Sequence, residues 1–188
     1  MKRLDHIVVV DVEATCWEGE PPPGQENEII EIGVCLLDVA TLERGEREGI
    51  LVRPVTSTVS PFCTRLTSLT QEQVEQGIPL EEACAILRRR FKTKERVWAS
   101  YGDYDRRQFE RQCAASYPFG PSHLNAKTLL AVTVGLSREV GMAAALERLG
   151  IPLEGTHHRG ADDAWNIAAL LGRLIKAARS GEALRRTT

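Results

Sequence analysis

The alternation of apolar and polar residues predicts strands first, and then strands that alternate with helices. Runs rich in β-branched residues predict strands over residues 6–11, 28–38, 47–54 and 96–100, the first three as a meander. Apolar residues at helical spacing predict helices over residues 80–91, 104–116, 126–134, 138–149 and 161–178. A loop over residues 59–77 enters a further short helix with Thr70 as its N-cap. This order indicates an α/β fold in which helices cover the faces of a mixed sheet.

Length and composition limit the class of protein. The chain has 188 residues, of which 43% are apolar, and suits one domain at residues 1–179 with a short basic tail at residues 180–188. The sequence contains no apolar run of the roughly 18 residues that a membrane helix needs and no secretion signal, so we expect no membrane partner. Five scattered cysteines without a CxxC pair argue against a disulfide framework and a zinc site, and indicate a cytoplasmic protein.

The net charge of −2 gives no global sign of nucleic-acid binding. A polyanionic partner would therefore have to be held by a local basic patch or by bound metal. Two basic runs are candidate phosphate contacts, although a run of this kind is more often a solvated helix face: Arg88, Arg89, Arg90, Lys92, Lys94 and Arg96, and then Arg106 and Arg107.

Two carboxylates stand at the end of the first predicted strand. Side chains alternate along a strand, so Asp11 and Glu13 point to the same face and repel each other. A strand that emerges into solvent would explain the pair. A divalent-metal site is the second explanation, because hard cations such as Mg²⁺ take carboxylate oxygens as ligands.

Two more acids follow the strand at residues 96–100. Asp103 stands directly before a helix, so it is a candidate N-cap and also a candidate metal ligand at the end of a second strand. Asp105 lies in the first helical turn, where an acid interacts favourably with the helix dipole, and we expect it to be structural.

The segment THHRGADDAWN, residues 156–166, supplies two histidines and two acids. In a helix that starts near residue 161, Asp163 falls on the apolar stripe, whereas Asp162 faces water or caps the helix. A carboxylate on a core-facing stripe is costly unless it is paired or bound to metal. His157 and His158 are candidate general bases, since imidazole titrates near neutral pH.

Three motifs together resemble those of the DEDDh 3′–5′ exonucleases, a group in the DnaQ-like, or RNase H-like, superfamily. They are DVEAT, SYGDYD and HRGADDAWNIA, at residues 11–15, 100–105 and 158–168. EATCW, ENEIIEIGVCLLD and FCTRLTSLTQEQVEQG are similar to Eri-type exoribonucleases and bacterial KapD-like proteins, and the resemblance extends from about residue 5 to residue 176. It implies an RNase H-like mixed sheet of about five strands, and metal-dependent hydrolysis of phosphodiester bonds at 3′ ends, with RNA favoured and nucleoside 5′-monophosphates released.

The resemblance also implies roles for individual residues. Two divalent ions, Mg²⁺ or Mn²⁺, would be held by Asp11, Glu13, Asp103 and Asp163. Glu13 and His158 would be catalytic, with His158 as the general base, because His158 lies five residues before Asp163 as the family's histidine does, whereas His157 lies one residue too far. The terminal nucleotide would be bound by Ala14, Thr15, Phe62, Leu66, Tyr104 and His158.

Aromatic residues and chain length differ from the family pattern. Tyr101 and Tyr104 stand where Eri-type proteins often carry tryptophan. Trp17, Phe62 and Tyr104 are candidates for stacking on a base, while Trp165 is expected to pack on the helix surface. We expect the accessory N-terminal nucleic-acid-binding segment of some relatives to be absent.

Two alternatives stay open. The chain would be a proofreading-type DNA exonuclease if it does not select for the 2′-OH, because the contacts that read this group are not visible in a sequence. It would be a non-catalytic regulator if the fold serves only to bind nucleic acid or protein. The complete set of four acids and a histidine argues against the regulator, since clustered acids repel phosphate in the absence of metal.

Overall fold

The computed structural model describes residues 2–181, so residues 182–188 of the predicted basic tail lie outside the described residues. The β-branched runs form strands and the amphipathic segments form helices. In chain order these are β1 (Arg3–Ala14), β2 (Ile29–Asp38), β3 (Arg44–Leu51), α1 (Pro61–Thr67), α2 (Gln71–Glu75), α3 (Leu80–Arg90), β4 (Arg96–Ser100), α4 (Tyr104–Gln112), β5 (His123–Asn125), α5 (Ala126–Thr133), α6 (Met142–Arg148) and α7 (Gly160–Ser180).

The strands form a mixed sheet in the order β3-β2-β1-β4-β5. β1, β2 and β3 pair antiparallel as the predicted meander, whereas β4 runs parallel to β1 and β5 runs parallel to β4. The carboxyl ends of β1, β4 and β5 therefore meet at one edge of the sheet, where ligands bind in open α/β sheets. The predicted mixed sheet of about five strands is confirmed.

Alternating side chains of the central strand β1 belong to two hydrophobic cores. Ile7 and Val9 pack on one face against α5, α6 and α7, while Val8 and Val10 pack on the other face against α3 and α4. This arrangement confirms helices on both faces. The next odd-numbered residues of β1 are Asp11 and Glu13, which therefore lie on the same face of the sheet as Ile7 and Val9. Within residues 2–181, the structure has no helix that is both long enough and apolar enough to cross a membrane.

Two elements were not predicted from the sequence. α1 forms inside the segment expected to be a loop, because Pro61 suits the first turn of a helix and the hydroxyl of Ser60 accepts a hydrogen bond from the backbone N–H of Cys63 at 3.0 Å. β5 has only three residues and is held by its parallel pairing with β4, in which His123 lies opposite Trp98.

Two predicted helices are shorter than expected. α4 ends at Gln112 rather than near residue 116, and α6 begins at Met142 rather than near residue 138. The predicted cap at Thr70 is confirmed, since its hydroxyl accepts from the backbone N–H of Gln73 and the side chain of Gln73 accepts from the backbone N–H of Thr70.

Candidate active site

A cavity of about 390 Å³ opens at the edge of the sheet where β1 and β4 end. Four acids line it: Asp11 and Glu13 of β1, Asp105 of α4 and Asp163 of α7. The other lining residues are Val12, Ala14, Cys16, Leu66, Tyr101, Tyr104, Lys127, Gly141, Met142, His157 and His158.

Three of these acids form a tight cluster. Each of Asp11, Glu13 and Asp163 has a carboxylate oxygen within 4.8 Å of those of the other two. Asp11 and Glu13 share a face because side chains alternate along β1, and Asp163 points inward from the first turn of α7. Glu13 and Asp163 are buried. The predicted orientations of these three side chains are therefore confirmed.

Burial makes the ionised forms of the four acids costly. It raises the pKa of Asp11 well above its usual value, and the charge of Asp105 raises it further. Burial followed by the charge of Asp163 raises the pKa of Glu13 to about 8. Burial also raises the pKa of Asp105 to about 7, although the backbone N–H of Val12 opposes the rise. Like charges this close cannot all ionise without a compensating positive charge.

The acid of the second motif that lines the cavity is Asp105, not Asp103. Asp105 is buried, and its carboxylate accepts a hydrogen bond from the backbone N–H of Val12 at 2.9 Å, which places it beside the acids of β1. Asp103 occupies the N-cap position of α4, but its side chain is 42% exposed and turns to Arg106 at 3.3 Å. The prediction that places Asp103 at the site is therefore wrong, and so is the expectation that Asp105 lies outside it. The first turn of α4 rotates Asp105 towards the core face and Asp103 towards solvent.

Two glycines let α7 reach the sheet at this site. A methyl group added at Gly33 of β2 would overlap the carbonyl group of Gly160, and one added at Gly160 would lie 2.8 Å from the backbone nitrogen of Gly33. Gly33 is also the partner of Asp11 in the β1–β2 register. The close backbone contact therefore fixes the start of α7, and with it Asp163, directly over the carboxylates of β1.

An ion pair with a buried carboxylate holds the same end of α7. Glu31, opposite Glu13 in the sheet, accepts from the guanidinium of Arg159 at 3.1 and 3.2 Å and from the backbone N–H of Gly160 at 2.8 Å. The side chain of Glu31 is buried. Arg159 also contacts the hydroxyl of Ser68, the residue after α1, at 3.5 Å. These contacts connect the loop that precedes α7 to β2 and to α1.

Both histidines line the cavity, so the structure brings His157 there together with the predicted His158. Their rings stack with centroids 4.0 Å apart. Nδ1 of His157 lies 3.1 Å from Asp163, while the backbone N–H of His158 donates to the same carboxylate at 2.9 Å. Burial and the neighbouring His157 lower the pKa of His158. A neutral imidazole is the form that accepts a proton.

The loop that carries the histidines is anchored by α7 itself. The carboxylate of Asp162 accepts from the backbone N–H of Thr156 at 2.6 Å and pairs with Arg47. Asn166 accepts from the backbone N–H of Glu154 at 3.0 Å and donates back to the Glu154 carbonyl at 2.9 Å. Asp162 was expected to face water or cap the helix, but it fixes the histidine loop instead.

The predicted nucleotide-binding residues separate into two groups. Ala14, Leu66 and Tyr104 line the cavity as expected. Thr15 does not reach it, because the side chain is buried and its hydroxyl donates to the Glu26 carbonyl and accepts from the Glu28 N–H, both at 2.9 Å. Phe62 lies on α1 beside Arg65, outside the lining residues of the described chain.

The other aromatic and basic candidates also lie elsewhere. Trp165 packs under the guanidinium of Arg44, whose carbon lies 4.0 Å from the ring centroid, as expected of a helix-surface residue. Several residues of the two basic runs are engaged by protein groups: Arg88 by the Ser116 carbonyl, Arg90 by Glu46 and Glu48, Arg96 by Asp5, and Arg106 by Asp103 and Glu110.

The donor set fits a divalent cation. Carboxylate oxygens are the ligands that Mg²⁺ and Mn²⁺ prefer, and Asp11, Glu13 and Asp163 present them at a common point with Asp105 beside them. A cation there would compensate the like charges that burial otherwise makes costly. The four acids and two histidines thus combine a metal-binding surface with a group that can accept a proton.

Comparison with known proteins bears on this site. The chain matches the family model described as Exonuclease over residues 8–171. It is 33% identical to human 3′-5′ exoribonuclease 1 over 186 residues, which cover 92% of this chain and 53% of that relative. The chain therefore spans about half the length of this relative.

Two solved structures agree with this match. The nuclease domain of 3′hExo, a DEDDh family member bound to rAMP, is 30% identical with a TM-score of 0.83, over 98% of this chain and 96% of that one. A 3′-exonuclease in a structure of 3′-end specific recognition of histone mRNA stem-loop is 31% identical with a TM-score of 0.82, over 98% and 67%. The resemblance inferred from the sequence is confirmed, and the DEDDh exonucleases are metal-dependent.

Proposed function

We propose that this chain, which belongs to the exonuclease family, is a metal-dependent 3′–5′ exonuclease. The observation that carries the proposal is the convergence of four acids, three of them buried, and two histidines on one cavity at the carboxyl ends of parallel strands. A binding module would have no use for such a cluster, because its charges would repel phosphate. The regulator alternative is therefore disfavoured.

The acids would hold the metal and the histidine would move a proton. Asp11, Glu13, Asp105 and Asp163 would hold two Mg²⁺ or Mn²⁺ ions, and the bound ions would supply electrostatic stabilisation of the charge that develops on the phosphate oxygens. His158, whose pKa is lowered by burial, accepts a proton from the attacking water. The water oxygen bonds to phosphorus, the bond from phosphorus to the 3′ oxygen breaks, and that oxygen takes a proton from solvent. The products are a nucleoside 5′-monophosphate and a chain shorter by one unit.

RNA is the substrate that we propose. The support is the similarity to human 3′-5′ exoribonuclease 1 and to a nuclease domain bound to rAMP. Ala14, Leu66 and Tyr104 line the side of the cavity next to the acids and would receive the terminal nucleotide. We also propose a cytoplasmic location, because all five cysteines, each within the described residues, are free thiols.

A digestion of end-labelled oligomers tests the proposal. A 5′-labelled RNA, a DNA of the same sequence and a circular RNA without a 3′ end are incubated with Mg²⁺, with Mn²⁺ or with a chelator. We expect a ladder that shortens from the 3′ end of the linear RNA, 5′-monophosphates as products, and intact circles. Faster digestion of DNA than of RNA would favour the proofreading-type alternative. Absence of any digestion, with the chain folded, would favour a non-catalytic regulator.

A further inference from the structure

Lys127 stands out among the residues that line the acidic cavity. It is the one lysine or arginine in the lining contributed by residues 2–181. α5 begins immediately after β5, and the side chain of Asn125 caps it by accepting from the backbone N–H of Thr128 at 3.0 Å. Lys127 is therefore fixed in the first turn of a capped helix, at the sheet edge where the acids also lie.

The side chain of Lys127 lies beside Gly102. Gly102 has φ of 108°, a conformation that L side chains rarely adopt, and a methyl group added there would lie 3.6 Å from Cδ of Lys127. The aliphatic stem thus runs past the turn of the second motif. The side chain of Lys127 lines the cavity next to this turn.

The ion pair of Lys127 leaves its charge available. Its partner is Glu139, whose carboxylate lies 3.7 Å away, and the two side chains are 32% and 43% exposed. Pairs with this exposure contribute at most about 1 kcal/mol. Glu139 also accepts a hydrogen bond from the hydroxyl of Thr128 at 2.5 Å, which holds the carboxylate in place when the lysine moves. The ammonium can therefore exchange Glu139 for a phosphate oxygen at low cost.

The order of the β-strands in the sheet indicates which phosphate of the substrate Lys127 would bind. α1, which carries Leu66, packs through Cys63 against Ile30 of β2, on one side of β1 in the sheet order. Lys127 follows β5, on the other side of β1. The acids of β1 lie between the two. A nucleic-acid chain that has its terminal nucleotide at Leu66 and its scissile phosphate at the acids would continue towards Lys127.

We infer that Lys127 binds the phosphate one linkage upstream of the scissile bond, and so favours polynucleotide over a lone terminal nucleotide. This inference rests on the proposed function and deepens it by adding a second phosphate subsite. A phosphate contact reads neither base nor sugar, so the subsite serves affinity and register rather than sequence selection.

A chemically modified substrate tests the inference directly. An oligoribonucleotide carries one neutral methylphosphonate in place of the linkage directly upstream of the scissile bond, and a control oligomer carries the same group near its 5′ end. KM and kcat for removal of the first nucleotide are measured for the full chain and for Lys127→Met, Lys127→Arg and Lys176→Met. Methionine keeps an apolar stem beside Gly102, and Lys176 lies on α7 in a different cavity.

We expect the upstream methylphosphonate to raise KM of the unmodified enzyme about tenfold, as for loss of a charged hydrogen bond. Lys127→Met should raise KM for the unmodified RNA by a similar factor, and then show no further response to the upstream methylphosphonate. It should also flatten the plot of log KM against log salt by about 0.7, the value for one single-stranded phosphate contact. Lys127→Arg should retain the response, and Lys176→Met should behave as the unmodified enzyme.

Two results would overturn the inference while leaving the exonuclease intact. One is a Lys127→Met enzyme that responds to the upstream methylphosphonate as strongly as the unmodified enzyme does. The other is a loss in kcat with unchanged KM, which would place Lys127 at the reacting phosphate. Failure of the unmodified enzyme to shorten any oligomer in Mg²⁺ or Mn²⁺ would instead overturn the proposed function, and this inference with it.

Discussion

Replacement of Asp105 by asparagine should stabilise the metal-free protein, and increasingly so as the pH rises. The folded chain raises the pKa of Asp105 from 3.8 to about 7, chiefly through burial. A carboxyl group whose pKa is higher in the folded chain costs nothing below its unfolded pKa, and costs more as the pH rises towards its folded pKa. Asparagine removes this cost and keeps an oxygen that can accept from the N–H of Val12.

The magnitude follows from the two pKa values of Asp105. At about 1.36 kcal/mol for each pKa unit, the raised pKa of Asp105 costs the folded state about 4 kcal/mol at pH 8, where the group is ionised in both states, and about 2 kcal/mol at pH 5, where only the unfolded chain is ionised. The advantage of Asp105→Asn in the free energy of unfolding should therefore grow by about 2–3 kcal/mol between pH 5 and pH 8. With metal bound, the unmodified chain should be more stable than Asp105→Asn, because the cation stabilises the ionised cluster of carboxylates.

Urea denaturation of both proteins at pH 5, 6, 7 and 8, in chelator and again in Mg²⁺ or Mn²⁺, measures this difference. Asp103→Asn is the matched control, since Asp103 is partly exposed and paired with Arg106. Its free energy of unfolding should follow that of the unmodified chain at every pH. A stability difference for Asp105→Asn that does not change with pH in chelator would refute the reasoning.

Two further predictions concern the geometry and the chemistry of the site. Gly33→Ala should destabilise the fold by about 3 kcal/mol or more and weaken the metal-induced rise in Tm, because the added methyl group would overlap Gly160. Gly45→Ala, where the new methyl group would lie 3.5 Å from the Leu36 carbonyl, should be nearly neutral in the same melting experiment, and equal effects of the two would contradict the backbone contact. His158→Gln should lower kcat by about 10²–10⁴ and leave the metal-induced rise in Tm unchanged, as measured by initial rates and thermal melting. A change of less than a few-fold in kcat, or an equal loss in His157→Gln, would remove His158 from its assigned role.

Helical periodicity selected Asp163 correctly, and the same argument would have selected Asp105. In α4 the buried residues are Asp105, Gln108 and Phe109, which lie at the spacing of one helix face. Asp103 was the predicted ligand because it lies closer than Asp105 to the end of β4. The turn of the following helix, and not the distance from the strand end, decides which acid points inward.

Other parts of the site depend on contacts that no local pattern contains. Gly33 and Gly160 are 127 positions apart, and only their meeting in space shows why both lack a side chain. β5 has three residues and gains its strand conformation from pairing with β4. Thr15 is adjacent to the site in sequence, but its hydroxyl is used by the turn at Glu26 and Glu28. In each case tertiary partners decide the outcome.

The most direct test of the account is the rate at which nucleoside 5′-monophosphate is released from a linear RNA by the unmodified chain, by Asp105→Asn and by Asp103→Asn, with Mg²⁺ or Mn²⁺ present. If Asp105 completes the acidic site, the unmodified chain should release the product, Asp105→Asn should lose at least about 10²-fold in rate, and Asp103→Asn should release it at a near-normal rate. Undiminished release by Asp105→Asn, with Asp103→Asn inactive and folded, would contradict this assignment.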